Sequence, residues 1–306
     1  MVSFFHKTAK EKQLSLLESF APGSWVFVES PDEEEIQRLS REFNLDEGLL
    51  RDGIDPYEVP RMETDNGSIY VYTRVPYKEK GTTATAPVLI ILGENFFMTV
   101  SAFPIPLFDR LSETENEVNS TEKTAMLIKV MAEIISSYNG VLTDIRKKVR
   151  GASALLEDIS NKEIALFVLY ESIINDFLSA LIPTNTIISN LLSGKFFSLS
   201  EDEHELVEDV FLGIGQLVEL SKSTLKNAVN IREAYSTIMT NNLNRVIKLL
   251  TALTIVLTIP MVISGFLGMN VPVPFSDSPY GFFLLVGISA AISIGLFYIL
   301  KKNKWL

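Results

Sequence analysis

Two long apolar segments near the C-terminal end are the strongest pattern in the chain. Residues 246–267 contain one charged residue, Lys248, and residues 280–300 contain none. Each segment has about the 20 residues that a helix needs to cross the hydrocarbon core of a membrane. A pair of buried core helices is the alternative, and the basic tail after the second segment disfavours it. The pattern therefore predicts two transmembrane helices joined by an outer loop at 268–279.

The lysines and arginines around these spans predict their orientation. Arg245 and Lys248 flank the first span, the connecting loop has no lysine or arginine, and the second span is followed by Lys301, Lys302 and Lys304. The positive-inside rule then places both termini in the cytoplasm. The N-terminal residues lack a long apolar segment, so no cleaved signal peptide is expected. The expected location is the plasma (inner) membrane of a prokaryote, as a multi-pass protein.

The residues before the spans divide by pattern into an α/β domain and a helical domain. In residues 1–111 a helix is predicted after Pro31, and strands are predicted at 25–29, 68–75, 88–92 and 96–100. The last two strands are close enough to predict a hairpin. Residues 112–244 have apolar residues at three- and four-residue spacing, which predicts helices over 112–158 and 161–192 and a third from about Ser200.

The third helix is predicted to continue into the first span. No proline occurs between Ser200 and Pro260, so one helix would extend for about 95–100 Å. Gly213 and Gly215 weaken it locally, and two helices broken there are the alternative. The predicted fold class is an α+β membrane protein with an N-terminal α/β cytoplasmic domain, a long helical stalk and two C-terminal transmembrane helices; the domains are 1–111, 112–244 and 245–306.

The composition excludes several functions. The chain has 38 acidic and 27 basic residues and a formal net charge of −11, which disfavours a nucleic-acid partner. It has no cysteine, so disulfides, thiolate metal ligands and cysteine nucleophiles are absent. Its two histidines, His6 and His204, cannot form a multi-histidine metal site. Without a phosphate-binding loop or a catalytic constellation, we expect no nucleotide, no organic cofactor and no enzymatic activity.

One face of the first span carries hydroxyl, amide and small residues. At 100° per residue, several positions fall within about 60° of one another, and others flank them. We call this set the candidate pore face: Asn244, Ile247, Leu250, Thr254, Thr258, Met261 and Gly265. Helix packing in membranes also uses small and hydroxyl residues, so the pattern alone fits either packing or pore lining. A pore would require a homo-oligomer, because one helix cannot enclose it.

The end of the first span carries a recognisable motif, Gly268-Met269-Asn270. Gly-Met-Asn closing the first of two C-terminal spans, with a basic tail after the second, resembles the CorA magnesium channels. Residues 50–54 and 59–63 also resemble a family segment, and the α/β domain, long helices and two spans occur in the family's order. The resemblance covers nearly the whole chain and is tight in residues 242–306.

The resemblance implies a homopentamer in the lipid bilayer that conducts hydrated magnesium, with cobalt and nickel as further candidate ions. Gly268, Met269 and Asn270 would form the selectivity filter, and the candidate pore face would line the pore. Asn244 would form a second polar ring, Leu250 is the better gate candidate, and Asp277 would supply charge at the outer mouth. Thr258 is less bulky and apolar than the family's usual residue, which weakens a hydrophobic gate at that level.

The resemblance also implies a regulatory role for magnesium. Asp52 and Asp209 match family positions that bind cytoplasmic magnesium between neighbouring subunits. Facing carboxylates repel unless a cation lies between them, so low magnesium would loosen the interface and open the pore. Both carboxylates could instead be simply solvated. For the whole protein, the alternatives are a zinc transporter of the same fold and a non-conducting, membrane-anchored scaffold or sensor.

Overall fold

The computed structural model describes residues 1–8, 14–79, 81–113, 119–153, 161–194, 196, 199–269, 280–303 and 305. The described residues form two compact units, Met1–Ile231 and Arg232–Leu306. The predicted division into three domains remains a prediction. The strands are β1 (Val2–His6), β2 (Ser15–Leu17), β3 (Ser24–Glu29), β4 (Arg61–Asp65), β5 (Ser68–Glu79), β6 (Thr82–Leu92) and β7 (Phe96–Ser101). The helices are α1 (Glu33–Phe43), α2 (Glu47–Asp52), α3 (Pro106–Glu113), α4 (Lys123–Ser153), α5 (Asn161–Leu192), α6 (Glu201–Leu267) and α7 (Gly281–Lys302).

The strands of the described chain form one mixed sheet in the order β2-β1-β3-β7-β6-β5-β4. Strands β3 and β7 are parallel, and the other neighbours are antiparallel. The strands predicted in β3 and β5 and the hairpin of β6 with β7 are confirmed. The sequence analysis did not predict β1, β2 and β4. Strands β2 and β4 are the sheet edges. Strand β2 has only three residues and β4 has polar residues at four of its five positions, so neither shows the apolar alternation that identifies a strand.

Helices cover both faces of this sheet, because alternate strand residues point to opposite sides. On one face, Val26 and Leu89 join a core with Leu39 of α1 and Leu50 of α2. Helix α1 begins as predicted, with a reciprocal cap between the backbone and side chains of Asp32 and Glu35. The sheet thus supports α2, the short helix that carries Asp52.

On the opposite face, Trp25 and Phe27 pack against Phe108 of α3, with ring centroids 6.3 and 5.7 Å apart. Helices α4 and α5 meet through Tyr138 and Phe177, whose rings are 4.8 Å apart and perpendicular. Their apolar residues therefore have partners inside the N-terminal unit.

The predicted helix over 112–158 is wrong at its beginning. Helix α3 ends at Glu113, and α4 begins only at Lys123. Between them, the Asn119 side chain accepts hydrogen bonds from Thr121 N at 3.2 Å and Thr121 Oγ1 at 2.7 Å. Ser120 Oγ accepts from Lys7 N at 2.9 Å. Such side-chain bonds compete with the helical ladder and explain the late start. Residues 154–160, part of the same prediction, lie outside the described residues.

Helix α6 runs unbroken for 67 residues, through Gly213 and Gly215. The prediction of one continuous helix is confirmed, and the alternative of two helices is wrong. Ser200 and Glu203 form the predicted cap, with Ser200 N donating to Glu203 Oε2 at 2.9 Å and Glu203 N donating to Ser200 Oγ at 3.3 Å. Gly213 has room for a methyl group, since its nearest neighbours are 3.6 Å or more from a Cβ position. The glycines therefore cost helix propensity without forcing a break.

Candidate ion pathway and regulatory carboxylates

Four described helices are long and apolar enough to cross a membrane: α4, α5, α6 and α7. In the most apolar window of α4 and α5, 44 % and 39 % of the residues are buried within the protein, against 6 % in α6 and α7. The sheet and the packing of α4 against α5 thus bury part of the apolar surface of these two helices, whereas the apolar surface of α6 and α7 is almost entirely exposed. An exposed apolar surface around a whole helix requires lipid or further protein. The C-terminal part of α6 contains the first predicted span, and α7 coincides with the second.

One side of α6 packs against α7. Ala252 is fully buried, and the partly buried residues that follow it recur at helical spacing: Val256, Ile259, Pro260, Ile263 and Leu267. Ser293 Oγ of α7 lies 3.4 Å from the carbonyl oxygen of Val256. At 100° per residue, these positions centre about 180° from the centre of the candidate pore face. All seven residues of the candidate pore face are exposed. Packing against α7 within the chain therefore does not account for them.

The hydroxyl groups of the candidate pore face have a defined orientation. Thr254 Oγ1 donates to the carbonyl oxygen of Leu250 at 2.9 Å, and Thr258 Oγ1 donates to that of Thr254 at 2.8 Å. Each hydroxyl proton is thereby used within the helix, so the oxygen retains only lone pairs for outside partners. Thr254 and Thr258 thus present acceptors, which suit the protons of a hydrated cation.

The described part of the Gly-Met-Asn motif follows the end of α6. Gly268 N donates to the Ser264 carbonyl oxygen at 3.0 Å, and Met269 N donates to that of Phe266 at 3.3 Å. Both residues are exposed. Asn270 and Asp277, which the sequence analysis assigned to the filter and the outer mouth, lie outside the described residues. Their roles stay predictions.

Asp52 lies at the last position of α2, which two tyrosines hold on the sheet. Asp46 N donates to Tyr70 Oη at 3.2 Å, and Tyr72 Oη donates to the Leu49 carbonyl oxygen at 2.8 Å. A tyrosine hydroxyl is protonated at physiological pH, and burial raises the pKa of Tyr72 further, so the bond to Leu49 persists. The position of the Asp52 carboxylate is thus set by contacts between α2 and the sheet.

Asp52 has a cationic partner that the sequence analysis did not identify. Arg61 Nη2 donates to Asp52 Oδ2 at 2.7 Å, and Arg61 also pairs with Glu58 and Glu63. Burial lowers the pKa of Arg61, but its hydrogen bonds to Glu63 and Asp52 raise it, and the net shift is upward. Glu58 and Glu63 are within three residues of Arg61, so the sequence could have predicted those two contacts. It could not have predicted the contact with Asp52, because that contact depends on the packing of α2.

Asp209 lies exposed on α6. Among the described residues, no group of three or more His, Asp or Glu residues is placed to hold a metal ion. The pairing of Asp52 with Asp209 stays a prediction.

The fold and the two exposed apolar helices define a membrane protein with a large N-terminal α/β unit. The family model described as "CorA-like Mg2+ transporter protein" matches residues 22–302. The chain belongs to the CorA family. Because this family consists of transporters, the prediction that the protein is not an enzyme is confirmed.

Individual relatives agree with this assignment. The chain is 24 % identical over 293 residues to the cobalt/magnesium transport protein CorA of Methanocaldococcus jannaschii, covering 92 % of this chain and 91 % of that protein. The complete structure of the CorA magnesium transporter from M. jannaschii superimposes with a TM-score of 0.86 at 20 % identity, covering 100 % of this chain and 99 % of that one. The full-length CmaX protein gives 0.76 at 16 % identity, covering 98 % and 97 %. The similarity to these two structures, at 20 % and 16 % identity, shows that the fold is shared.

Proposed function

We propose that the chain assembles as a homopentamer and forms a passive channel for hydrated magnesium, with cobalt and nickel as further candidate ions. The observation that carries the proposal is the exposure of the candidate pore face on the side of α6 opposite α7. Five such helices around an axis would place seven rings of side chains along a common pathway. If α6 contacted only α7 and lipid, the hydroxyl and amide groups on this face would point into lipid, which offers them no hydrogen-bond partners.

Selection would act on the hydrated ion. Magnesium loses its water reluctantly, so neutral oxygen acceptors that bind the coordinated water can recognise it without dehydration. Asn270 side chains and the Gly268 carbonyl oxygens would supply such acceptors at the outer end, beside Met269. Asn244 would supply a second ring, and Leu250 a narrow apolar level. Neutral ligands bind weakly enough for the ion to leave.

The membrane potential would drive the ion inward, with both termini in the cytoplasm of a prokaryotic cell. Moving a divalent ion across 100 mV releases about 4.6 kcal/mol. Asp277, in the loop between the spans, would attract cations to the outer mouth. No nucleotide is required for such a passive flux.

Cytoplasmic magnesium would regulate the channel through Asp52 of one copy and Asp209 of the next. Both carboxylates are accessible in the chain, with 43 % of the Asp52 side chain exposed. A bound cation would remove their repulsion and close the pore, and its loss would loosen the interface.

Reconstitution in liposomes tests the proposal. Purified protein is placed in vesicles that contain a magnesium-sensitive dye, and external magnesium is added at an inside-negative potential. We expect uptake by the wild type, loss of uptake in Asn270→Ala, and unchanged uptake in Asn303→Ala, a matched substitution at the end of α7. Native mass spectrometry checks that each variant is a pentamer.

The same assay separates the alternatives. Zinc uptake without magnesium uptake would identify a zinc transporter. No flux of either ion from assembled oligomers would identify a scaffold or sensor. Magnesium uptake by Asn270→Ala would show that residue 270 is not part of the selectivity filter.

A further inference from the structure

Arg61 is surrounded by carboxylates on the surface of the N-terminal unit. Its guanidinium donates to Asp52 at 2.7 Å, to Glu63 at 2.6 Å and to Glu58. Each of the three nitrogens of the group has a different carboxylate partner. Asp52 is therefore already paired with a fixed cation in the isolated chain, although one arginine offsets only part of the charge of three carboxylates.

The guanidinium is held in place from several directions. Its carbon lies 4.1 Å from the centre of the Tyr72 ring, in cation–π geometry. Arg74 fixes the neighbouring loop by donating to the Glu58 carbonyl oxygen at 2.7 Å. Only 28 % of the Arg61 side chain is exposed. An arriving cation thus meets a preorganised ion pair rather than a flexible surface arginine.

Arg51 provides an internal comparison. It precedes Asp52 in the chain, but among the described residues its guanidinium pairs with Glu33 and Glu47 rather than with Asp52. Proximity in sequence therefore does not produce the contact. The fold brings Arg61, nine residues away, to the Asp52 carboxylate.

We propose that Arg61 sets the magnesium concentration at which the regulatory carboxylate Asp52 is occupied. A divalent cation at Asp52 has to overcome repulsion from the guanidinium and to share or break its bond. Arg61 thereby shifts the response to higher magnesium. It is a positioning residue and does not touch the ion. This inference rests on the regulatory part of the proposed function.

Limited proteolysis of the full-length protein in detergent, over a series of magnesium concentrations, measures occupancy. The readout is the magnesium concentration that gives half of the maximal protection. In Arg61→Met we expect this concentration to fall at least fivefold, whereas Arg61→Lys, which retains the charge, remains within twofold of wild type. Arg51→Met also removes one positive charge near Asp52 but should remain within twofold.

Folding is controlled separately. Glu58 is only 13 % exposed, and loss of Arg61 leaves this carboxylate without its partner. The double variant Glu58→Gln/Arg61→Met removes the carboxylate together with its counter-ion and should still respond at lower magnesium than the wild type. Thermal melting without magnesium identifies variants that are simply unstable. A merely structural role for Arg61 would lower the melting temperature without lowering the half-protecting concentration.

The outcomes separate this inference from the proposal beneath it. If magnesium does not protect the wild type, or if Asp52→Asn responds as the wild type does, the regulatory function itself fails and the inference fails with it. If Asp52→Asn needs more magnesium but Arg61→Met is unchanged or also needs more, only the role of Arg61 is overturned. If Arg61→Met and Arg51→Met lowered the half-protecting magnesium concentration equally, the effect would be one of surface charge in general, and the specific role of Arg61 would be overturned.

Discussion

A missing side chain allows Asp52 to lie where it does. Gly53 follows Asp52 at the end of α2, and a Cβ at residue 53 would be 2.7 Å from both Cβ and Cδ2 of Leu89. The φ of Gly53 is −62°, which any residue can adopt. The constraint is therefore space: helix α2 approaches β6 closely because residue 53 has no side chain.

Gly53→Ala should destabilise the N-terminal unit by roughly 1–3 kcal/mol, the usual cost of overpacking a core. The displaced α2 would also weaken the contact between Asp52 and Arg61. Thermal unfolding of the detergent-solubilised protein measures the first effect. Gly140→Ala in α4 is the control, because a Cβ there has no neighbour within 4 Å. It should be neutral or stabilise by up to about 1 kcal/mol. Equal melting temperatures for Gly53→Ala and the wild type would contradict the close approach.

At the residue scale, the sequence predicts local chemistry better than tertiary contacts. The caps at Asp32 and Ser200 depend on residues three positions apart and follow from the sequence alone. The Arg61–Asp52 pair joins β4 to α2, and nothing in the spacing of the two residues indicates it. Asn270 was assigned to the filter by its motif, whereas Asp277 was assigned to the outer mouth as the acidic residue in the loop between the spans.

At the scale of elements, periodicity predicts which residues share a helix face, but not what that face contacts. The sequence assigned Thr254, Thr258 and Gly265 to one side of α6 and left packing and pore lining open. The structure shows that α7 covers the opposite side, around Ala252 and Val256. Packing against α7 therefore does not explain the candidate pore face, and pore lining is the function that we propose for it.

The two threonines should matter through their oxygen atoms. In the double variant Thr254→Val/Thr258→Val, volume and branching are retained but two hydrogen-bond acceptors are lost from each chain. We expect magnesium uptake in liposomes to fall about tenfold, a barrier increase of about 1.4 kcal/mol. The matched variant Thr254→Ser/Thr258→Ser retains the hydroxyls and should conduct nearly as the wild type does.

A second control lies on the same helix. Ser264 borders the candidate pore face on the side of Leu250 but is not one of its seven residues, so Ser264→Ala should not reduce uptake. Loss of uptake in both the valine and the serine double variants would instead indicate that the threonine methyl groups pack between helices. A failure of the valine variant to assemble would indicate the same.

At the scale of the whole molecule, composition alone would allow four spans. Helices α4 and α5 have long apolar windows, but much of each window is buried in the N-terminal unit. The sequence analysis predicted two spans because residues 246–267 contain one charged residue and residues 280–300 contain none, with a basic tail after the second segment. Burial within the structure supports the same division.

The absence of cysteine from the chain makes this topology directly testable. Single cysteines are introduced at Ser3, Lys162, Ser276 and Asn303, and intact cells are treated with a membrane-impermeant maleimide. Ser276→Cys, in the loop between the spans, should be labelled from outside, and the other three only after permeabilisation. The parent protein, without cysteine, should not be labelled.

Each alternative topology gives a different labelling pattern. If α4 and α5 also crossed the membrane, residue 162 would lie at an outer turn, and Lys162→Cys would be labelled in intact cells. If the orientation were reversed, Ser3→Cys and Asn303→Cys would be labelled from outside, and Ser276→Cys only after permeabilisation. Because Arg245 and Lys248 flank the first span and Lys301 and Lys302 end the second, the reversed arrangement would move all four charges across the membrane. We therefore expect only Ser276→Cys to be labelled in intact cells.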